Sequence, residues 1–278
     1  MVIFGYMMVL KRIFAFYINS SIHVALAVVS LLAISVLEYG LRLRWEVWAF
    51  VFLGALTGYN FVKYAKVAGL HHRSLTNSLR TIQVFSAACF AVLAIIALRL
   101  SIYVLLITAG FGMATFLYAV PFLHSKNLRN FSGVKIFVVA FVWAGVTVIV
   151  PVAASQIPFS WDIFFTFLQR ILIVVALILP FEIRDVPYDS LNLKTLPQLV
   201  GVRNTKLIGL AVLLACLGFE FFKIEVAAAY IVSLLLFSVA LGWLLVISKP
   251  HQNRYFSSFW VEGLPILWLI VYLLLARI

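Results

Sequence analysis

The decapeptide FEIRDVPYDS, residues 181–190, holds three of the nine carboxylates in this 278-residue chain. Glu182, Asp185 and Asp189 stand at i, i+3 and i+7, which is one face of a helix. Pro180 and Pro187 interrupt the stretch, and Pro187 disfavours helix at Val186, so a broken or kinked helix end is expected. Carboxylates gathered there repel one another. A hard divalent cation such as Mg²⁺ relieves that repulsion, keeps several waters and bridges to phosphate oxygens. With Arg184, Lys194 and Arg203 nearby, such a site suits a lipid diphosphate. The plainer reading of the same residues is a solvated loop of paired charges.

The elements that must position these acids are membrane helices. The ten residues before the cluster, ILIVVALILP, carry no charge, and the whole chain is 65% hydrophobic with a mean hydropathy of +1.14 and only 11% charged residues. A soluble protein of this length could not bury that much apolar surface. A spanning helix needs ~20 mostly apolar residues. Nine stretches qualify: 14–37, 45–66, 81–99, 101–123, 133–154, 161–181, 205–222, 226–247 and 257–276. The expected fold is an all-α bundle of nine transmembrane helices forming one membrane domain over residues 1–278. The runs are too continuous for barrel strands, which alternate apolar and polar residues. Cys89 and Cys216 fall inside predicted spans and read as small apolar fillers. No cleavable signal peptide is expected, because the first span leads directly into a multi-span protein.

The net charge of +12 is mostly topology. With a cytoplasmic N-terminus, fifteen Lys and Arg fall in cytoplasmic loops and five on the other side, leaving Arg170 inside a span. The positive-inside rule favours that orientation, with the C-terminus outside and FEIRDVPYDS on the cytoplasmic face. Nucleic acid is not an expected partner. The 2–3 loop, about 67–80, and the 6–7 loop, about 182–204, are the long ones, and long polar loops on one face are where function tends to sit. They follow the second and sixth spans, a spacing that hints at a duplicated four-helix unit.

Beyond the acids the chain continues LNLKTLPQLVGVRNTKLIGL. The segment EIRDVPYDSLNLKTLPQLVG resembles the second aspartate motif of the UbiA family of intramembrane prenyltransferases. Asp185 and Asp189 take its two Asp positions, Glu182 an accessory one, and Lys194, Thr195, Leu196, Pro197 and Gly201 follow in order. LYAVPFLHSKNLR, residues 117–129, is similar to the family's Tyr-Ser-x-Pro-Pro-x-Arg-Leu-Lys segment. Tyr118, Pro121 and Lys126 match there, while Ala119, Phe122 and His124 depart from it. The resemblance implies a Mg²⁺-dependent enzyme that moves a prenyl group from an isoprenyl diphosphate to an aromatic or other lipophilic acceptor. Asp185 and Asp189, assisted by Glu182, would hold Mg²⁺. Lys126, Lys194 and Arg73 would hold diphosphate oxygens, and Asn60 and Tyr118 would orient the substrates. A bacterial-type inner membrane is the expected location.

The family's first motif, Asn-Asp-x-x-Asp-x-x-x-Asp at the end of the second span, is absent. Asn60 matches, but the three Asp positions read Phe61, Tyr64 and Ala68, and no carboxylate lies between Glu46 and Asp162. Two readings follow. In one, Lys63, Lys66, His71, His72, Arg73 and Arg80 replace the metal on the diphosphate, as point charges and forks. In the other, the scaffold binds a lipid or partner without chemistry, since ionising an allylic diphosphate needs strong stabilisation of the leaving group. A small transporter is a third, with Arg170 in its path, but nothing resembling paired broken helices supports it.

Arg170 stands among apolar residues, where a charge is costly, and its candidate partners are Glu220 and Asp162. Haem and a histidine metal site are not expected, because of the five histidines only His23 lies well inside a span. The aromatic residues mostly face lipid or pack between helices.

Overall fold

The computed structural model describes residues 2–68, 77–119, 134–188, 194–225 and 227–277. All regular structure among them is helical. The helices are α1 (Val2–Asn19), α2 (Ile22–Glu38), α3 (Trp45–Ala68), α4 (Asn77–Ala97), α5 (Ile102–Ala119), α6 (Val134–Ala144), α7 (Val150–Ser155), α8 (Trp161–Asp185), α9 (Leu196–Gly218), α10 (Ala228–Ile247) and α11 (Leu264–Leu275). A π-turn, Gly145–Ile149, joins α6 to α7, and another, Phe256–Val261, precedes α11. Among the described residues six helices are long and apolar enough to cross a membrane, or seven if the bent pair α1–α2 is one span. The protein is therefore a polytopic membrane protein.

Neighbours in the ring run α2, α3, α5, α6, α8, α9, α10, α11 and back to α2, with α4 packed outside α3. The main core fills this ring, and Ile173, Leu179 and Ile183 of α8 are fully enclosed in it.

The expected first span, 14–37, is broken. Between Val9–Asn19 and Ile22–Glu38 the axis turns by 55°. Ser21 sits at the turn with φ of 63°, a left-handed conformation that a residue with a Cβ seldom adopts. The break is held from elsewhere. Asn60 Nδ2 donates to the Ser20 carbonyl at 3.0 Å, and Lys63 Nζ and Tyr64 Oη donate to the Asn19 carbonyl at 3.1 and 2.9 Å. His23 adds a tie to the far end of the chain. Its Nε2 donates to the Phe259 carbonyl at 3.0 Å, so its Nδ1 is the acceptor for Tyr17 Oη at 2.7 Å.

Two further differences from the expected pattern concern the acid segment. α8 continues through Pro180 and ends at Asp185. The Pro180 carbonyl accepts from Gln252 Nε2 and Ser257 Oγ at 3.4 and 3.3 Å, which ties the segment before α11 to this part of α8. The expected 6–7 loop is also shorter than 182–204, because α9 begins at Leu196. Thr195 is its N-cap residue, and Pro197 sits in the first turn, where its missing N–H is not needed. Gln198 Oε1 accepts from the Thr195 N–H at 3.0 Å. Gly201 breaks the helix with φ of 80°, and the side chains of Asn204 and Thr205 donate to the carbonyls of Val200 and Gly201, both at 2.9 Å.

At the opposite end of the bundle a polar network is buried. Lys223 Nζ donates to Glu38 Oε1 at 2.8 Å and to Glu220 Oε1 at 3.0 Å. Gln169 Nε2 donates to Glu220 Oε1 at 2.6 Å, and Thr166 Oγ1 to Glu38 Oε1 at 2.8 Å. Burial, then the Glu38 carboxylate beside it, raises the Tyr39 phenol at the edge of this network. Arg170 does not take the carboxylate partners expected for it. Its Nη1 donates to the Leu31 carbonyl at 2.7 Å and its Nη2 to Ser35 Oγ at 3.1 Å, and its guanidinium lies 5.5 Å from the centre of the Trp268 ring. Asp162 instead caps the backbone, accepting from the N–H groups of Ile224 and Glu225 at 3.1 Å each.

Candidate functional site

A cavity of about 930 Å³ lies where α3, α4, α5, α6 and α8 face one another. Its wall is mostly apolar, with Phe50, Phe90, Phe111, Val139 and Leu177 among the lining residues. The hydroxyls of Thr57, Thr108 and Thr115 on that wall donate to carbonyls one turn back on their own helices, at 2.7, 2.8 and 3.0 Å. They need nothing from a guest. Trp143 Nε1 donates to Tyr59 Oη at 2.8 Å and ties α6 to α3 along the same wall.

The cavity is polar at one end, where Asn60, Tyr64, Lys135, Asp185 and Glu262 meet it. The sequence places each of them towards an end of its element, a C-terminal end for α3 and α8 and an N-terminal end for α6 and α11. Asn60 and Tyr64 lie in the last turns of α3, Lys135 in the first turn of α6, Asp185 at the end of α8, and Glu262 just before α11. Antiparallel traverses bring these ends to one face.

Of the residues expected to do chemistry, Asn60, Glu182, Asp185 and Lys194 are described. Asp189, Arg73, Lys126 and the side chain of Tyr118 lie outside the described residues. Asn60 and Asp185 share the cavity wall. Asp185 receives Arg184 through both oxygens, at 2.8 and 3.2 Å, a forked pair that fixes the plane of the carboxylate. Glu182, one turn earlier, is buried and forms an ion pair with Lys135, which itself lines the cavity. Lys194 is exposed, with a left-handed φ of 45°, directly before the α9 cap.

Two of the expected Asp positions of the first motif are described with their side chains. Phe61 lines the cavity and Tyr64 holds the Asn19 carbonyl. Lys63, expected among the cations facing a diphosphate, also donates to Asn19. Glu262 was not legible as a site residue. It belongs to no motif, and only the fold carries it to the wall that Asn60 and Asp185 share. There it stands in the electrostatic field of Lys63 and Arg184.

The donor set fits a hard divalent cation in type. Asp185 and Glu262 bring carboxylate oxygens to the polar end, Asn60 brings an amide oxygen, and Mg²⁺ is bound by few such ligands plus water and phosphate. Among the described residues no three His, Cys, Asp or Glu side chains cluster closely enough to form a site without such help.

No protein-family model matches the chain, and no curated protein does. Three solved structures match over nearly its whole length. A UbiA homologue from Aeropyrum pernix K1, in its apo form, has 17% identity and a TM-score of 0.66, covering 92% of this chain and 98% of that one. A UbiA homologue from Archaeoglobus fulgidus, bound to DMAPP and Mg²⁺, has 8% identity and a TM-score of 0.62, covering 95% and 99%. A digeranylgeranylglyceryl phosphate synthase has 14% identity and a TM-score of 0.57, covering 95% and 97%.

Proposed function

We propose that this chain, whose fold is that of the UbiA homologues, is an integral membrane prenyltransferase that uses an isoprenyl diphosphate and a lipophilic or aromatic acceptor. The observation that carries the reading is the cavity: about 930 Å³ of mostly apolar wall ending in Asn60, Lys135, Asp185 and Glu262. An isoprenyl diphosphate has the same division, a hydrocarbon tail and an anionic head. Pockets of several hundred Å³ with a few convergent polar groups are the usual form of a small-molecule site. The A. fulgidus homologue binds DMAPP with Mg²⁺, which supports the same ligand class here.

In this reading the tail occupies the apolar length and the diphosphate meets Lys135, Lys126, Lys194 and Arg73. Asp185 and Asp189 hold Mg²⁺, and Glu182 assists from one turn back, where it orients Lys135. When bound, Mg²⁺ offsets the negative charge that grows on the leaving group. The bond from the allylic carbon to the diphosphate oxygen breaks, and its electron pair leaves with diphosphate. A bond from the acceptor to that carbon forms, and the acceptor gives up a proton. Asn60 and Tyr118 orient the two substrates. The mostly apolar wall limits water as a competing acceptor. The bundle spans the membrane nine times, with α1 and α2 as one bent traverse, and the polar end faces the cytoplasm of a bacterial-type inner membrane.

Thermal unfolding of the detergent-purified protein with farnesyl and geranylgeranyl diphosphate, with and without Mg²⁺, tests the reading. A ligand at 100 times its Kd, binding only the native state, adds ~2.7 kcal/mol. The expected result is stabilisation that needs Mg²⁺ and is lost in the Asp185→Asn/Asp189→Asn double variant, whose own fold is intact. Unchanged Mg²⁺-dependent binding in that variant would refute the site. Binding without release of diphosphate in the presence of candidate acceptors would leave a lipid-binding scaffold.

A further inference from the structure

Asn60 is committed on one side only. Its Nδ2 donates to the Ser20 carbonyl at 3.0 Å, and a carbonyl accepts only from the amide nitrogen, so the orientation of the group is fixed. Oδ1 therefore points away from Ser20. The residue is 3% exposed and lines the cavity, and Oδ1 has no hydrogen-bond partner. Buried acceptors in native proteins are nearly always matched, so an orphan on a cavity wall marks a place that a guest completes. Two carboxylates share that wall, Asp185 from α8 and Glu262 from the foot of the last span. The side chain next to Asn60 on the wall is Phe61, at the position where the resemblance calls for a carboxylate.

The cations near Glu262 have their hydrogen bonds directed elsewhere. Lys63 Nζ donates to the Asn19 carbonyl at 3.1 Å, and Arg184 forks onto Asp185. The interrupted backbone before α11 gives Glu262 its place. The π-turn Phe256–Val261 precedes it, and Gly263 follows where an added Cβ would lie 2.7 Å from the Phe259 carbonyl oxygen.

We propose that Glu262 supplies, from the last span, the carboxylate that α3 lacks at Phe61, and that Glu262, Asp185 and Asn60 Oδ1 hold one hard divalent cation at the polar end of the cavity. The diphosphate on that cation rests on the prenyltransferase reading, whereas the cation site itself does not. Mg²⁺ usually keeps water and phosphate oxygens among its other ligands, so three protein groups do not need to fill its coordination.

Mn²⁺ alone is the probe, with the full chain in detergent and the bound ion counted from its paramagnetic resonance signal. One Mn²⁺ per chain is expected, displaced by Mg²⁺. Glu262→Gln weakens it at least tenfold, with the metal-free thermal transition unchanged to show that the variant is folded. Phe61→Asp in the Glu262→Gln background restores binding, which a merely structural role for Glu262 would not allow. No bound Mn²⁺ in the wild type, or equal binding in Glu262→Gln, overturns the inference. Metal bound as expected without any effect of isoprenyl diphosphate would leave this site standing and remove the prenyltransferase reading. Diphosphate binding with a Mg²⁺ dependence untouched by Glu262→Gln would do the reverse.

Discussion

Lys223→Met is the sharpest test of how the bundle is held at the end away from the cavity. The Lys223 side chain is 1% exposed and bridges Glu38 and Glu220 at 2.8 and 3.0 Å. At an effective dielectric constant of about 20, each contact is worth roughly 5–6 kcal/mol of Coulomb attraction before desolvation is subtracted. Desolvation of three charged groups removes most of that from the net stability of the intact cluster. Removing the cation alone leaves the desolvation in place and the two carboxylates facing each other. The expected loss is about 3–5 kcal/mol. At roughly 2–4 °C per kcal/mol for a chain near this size, thermal unfolding in detergent should shift down by roughly 6–20 °C. Methionine keeps the length and apolar stem, so packing changes little. Glu220→Gln in the Lys223→Met background removes one of the stranded charges and should recover a substantial part of the shift. A single variant that melts within about 2 °C of wild type would refute the assignment of this cluster as a closed set of one cation and two carboxylates, Lys223 against Glu38 and Glu220.

The cavity's depth has its own test. A Cβ at Gly145 would lie 2.1 Å from the Phe111 ring, and Phe111 lines the cavity, so Gly145→Ala should drive that ring inward. A cost of about 1–3 kcal/mol in thermal unfolding is expected. Geranylgeranyl diphosphate should lose more affinity than farnesyl diphosphate in the same thermal assay, and Phe111→Ala in that background should restore it. Lys135→Met leaves Glu182 buried without its cation and should cost about 3–5 kcal/mol, while Glu182→Gln added to it should recover most of the loss. Ser160→Ala removes an oxygen that accepts from the Ile163 N–H at 3.3 Å at the start of α8, and about 1 kcal/mol is the expected effect in the same melt.

The apolar runs made the helices legible, because a membrane helix is specified by about twenty consecutive residues and little else. Each of the nine expected spans overlaps one helix or one helix pair of the structure. What escaped were features made by residues far apart in sequence. Ser20 and Ser21 sit inside an apolar run with no proline or glycine, and nothing local announces a turn of 55° there. The donors that sustain it come from Asn60, Lys63 and Tyr64, forty residues on. Lys223 meets Glu38 across 185 positions, so the partners of the charges in this region were not readable from spacing. Within the candidate site the acid segment was legible as a motif, since Asp185 and its neighbours are local. Glu262 was not, because a single acid before an apolar run has no signature until the fold brings it to the cavity that Asn60 and Asp185 also line.

The bend at Ser20–Ser21 bears on the order in which the chain enters the bilayer. A bent turn leaves backbone carbonyls without helical partners, and in hydrocarbon each such group costs several kcal/mol. The groups that match those of Asn19 and Ser20 belong to α3, so the α1–α2 junction is made ahead of its own support during synthesis. Until α3 is in place, the emerging segment is better off straight, or with its turn still at the aqueous boundary. The junction of α1 and α2 and the polar end of the cavity share Asn60, so the docking of α3 bears on both at once.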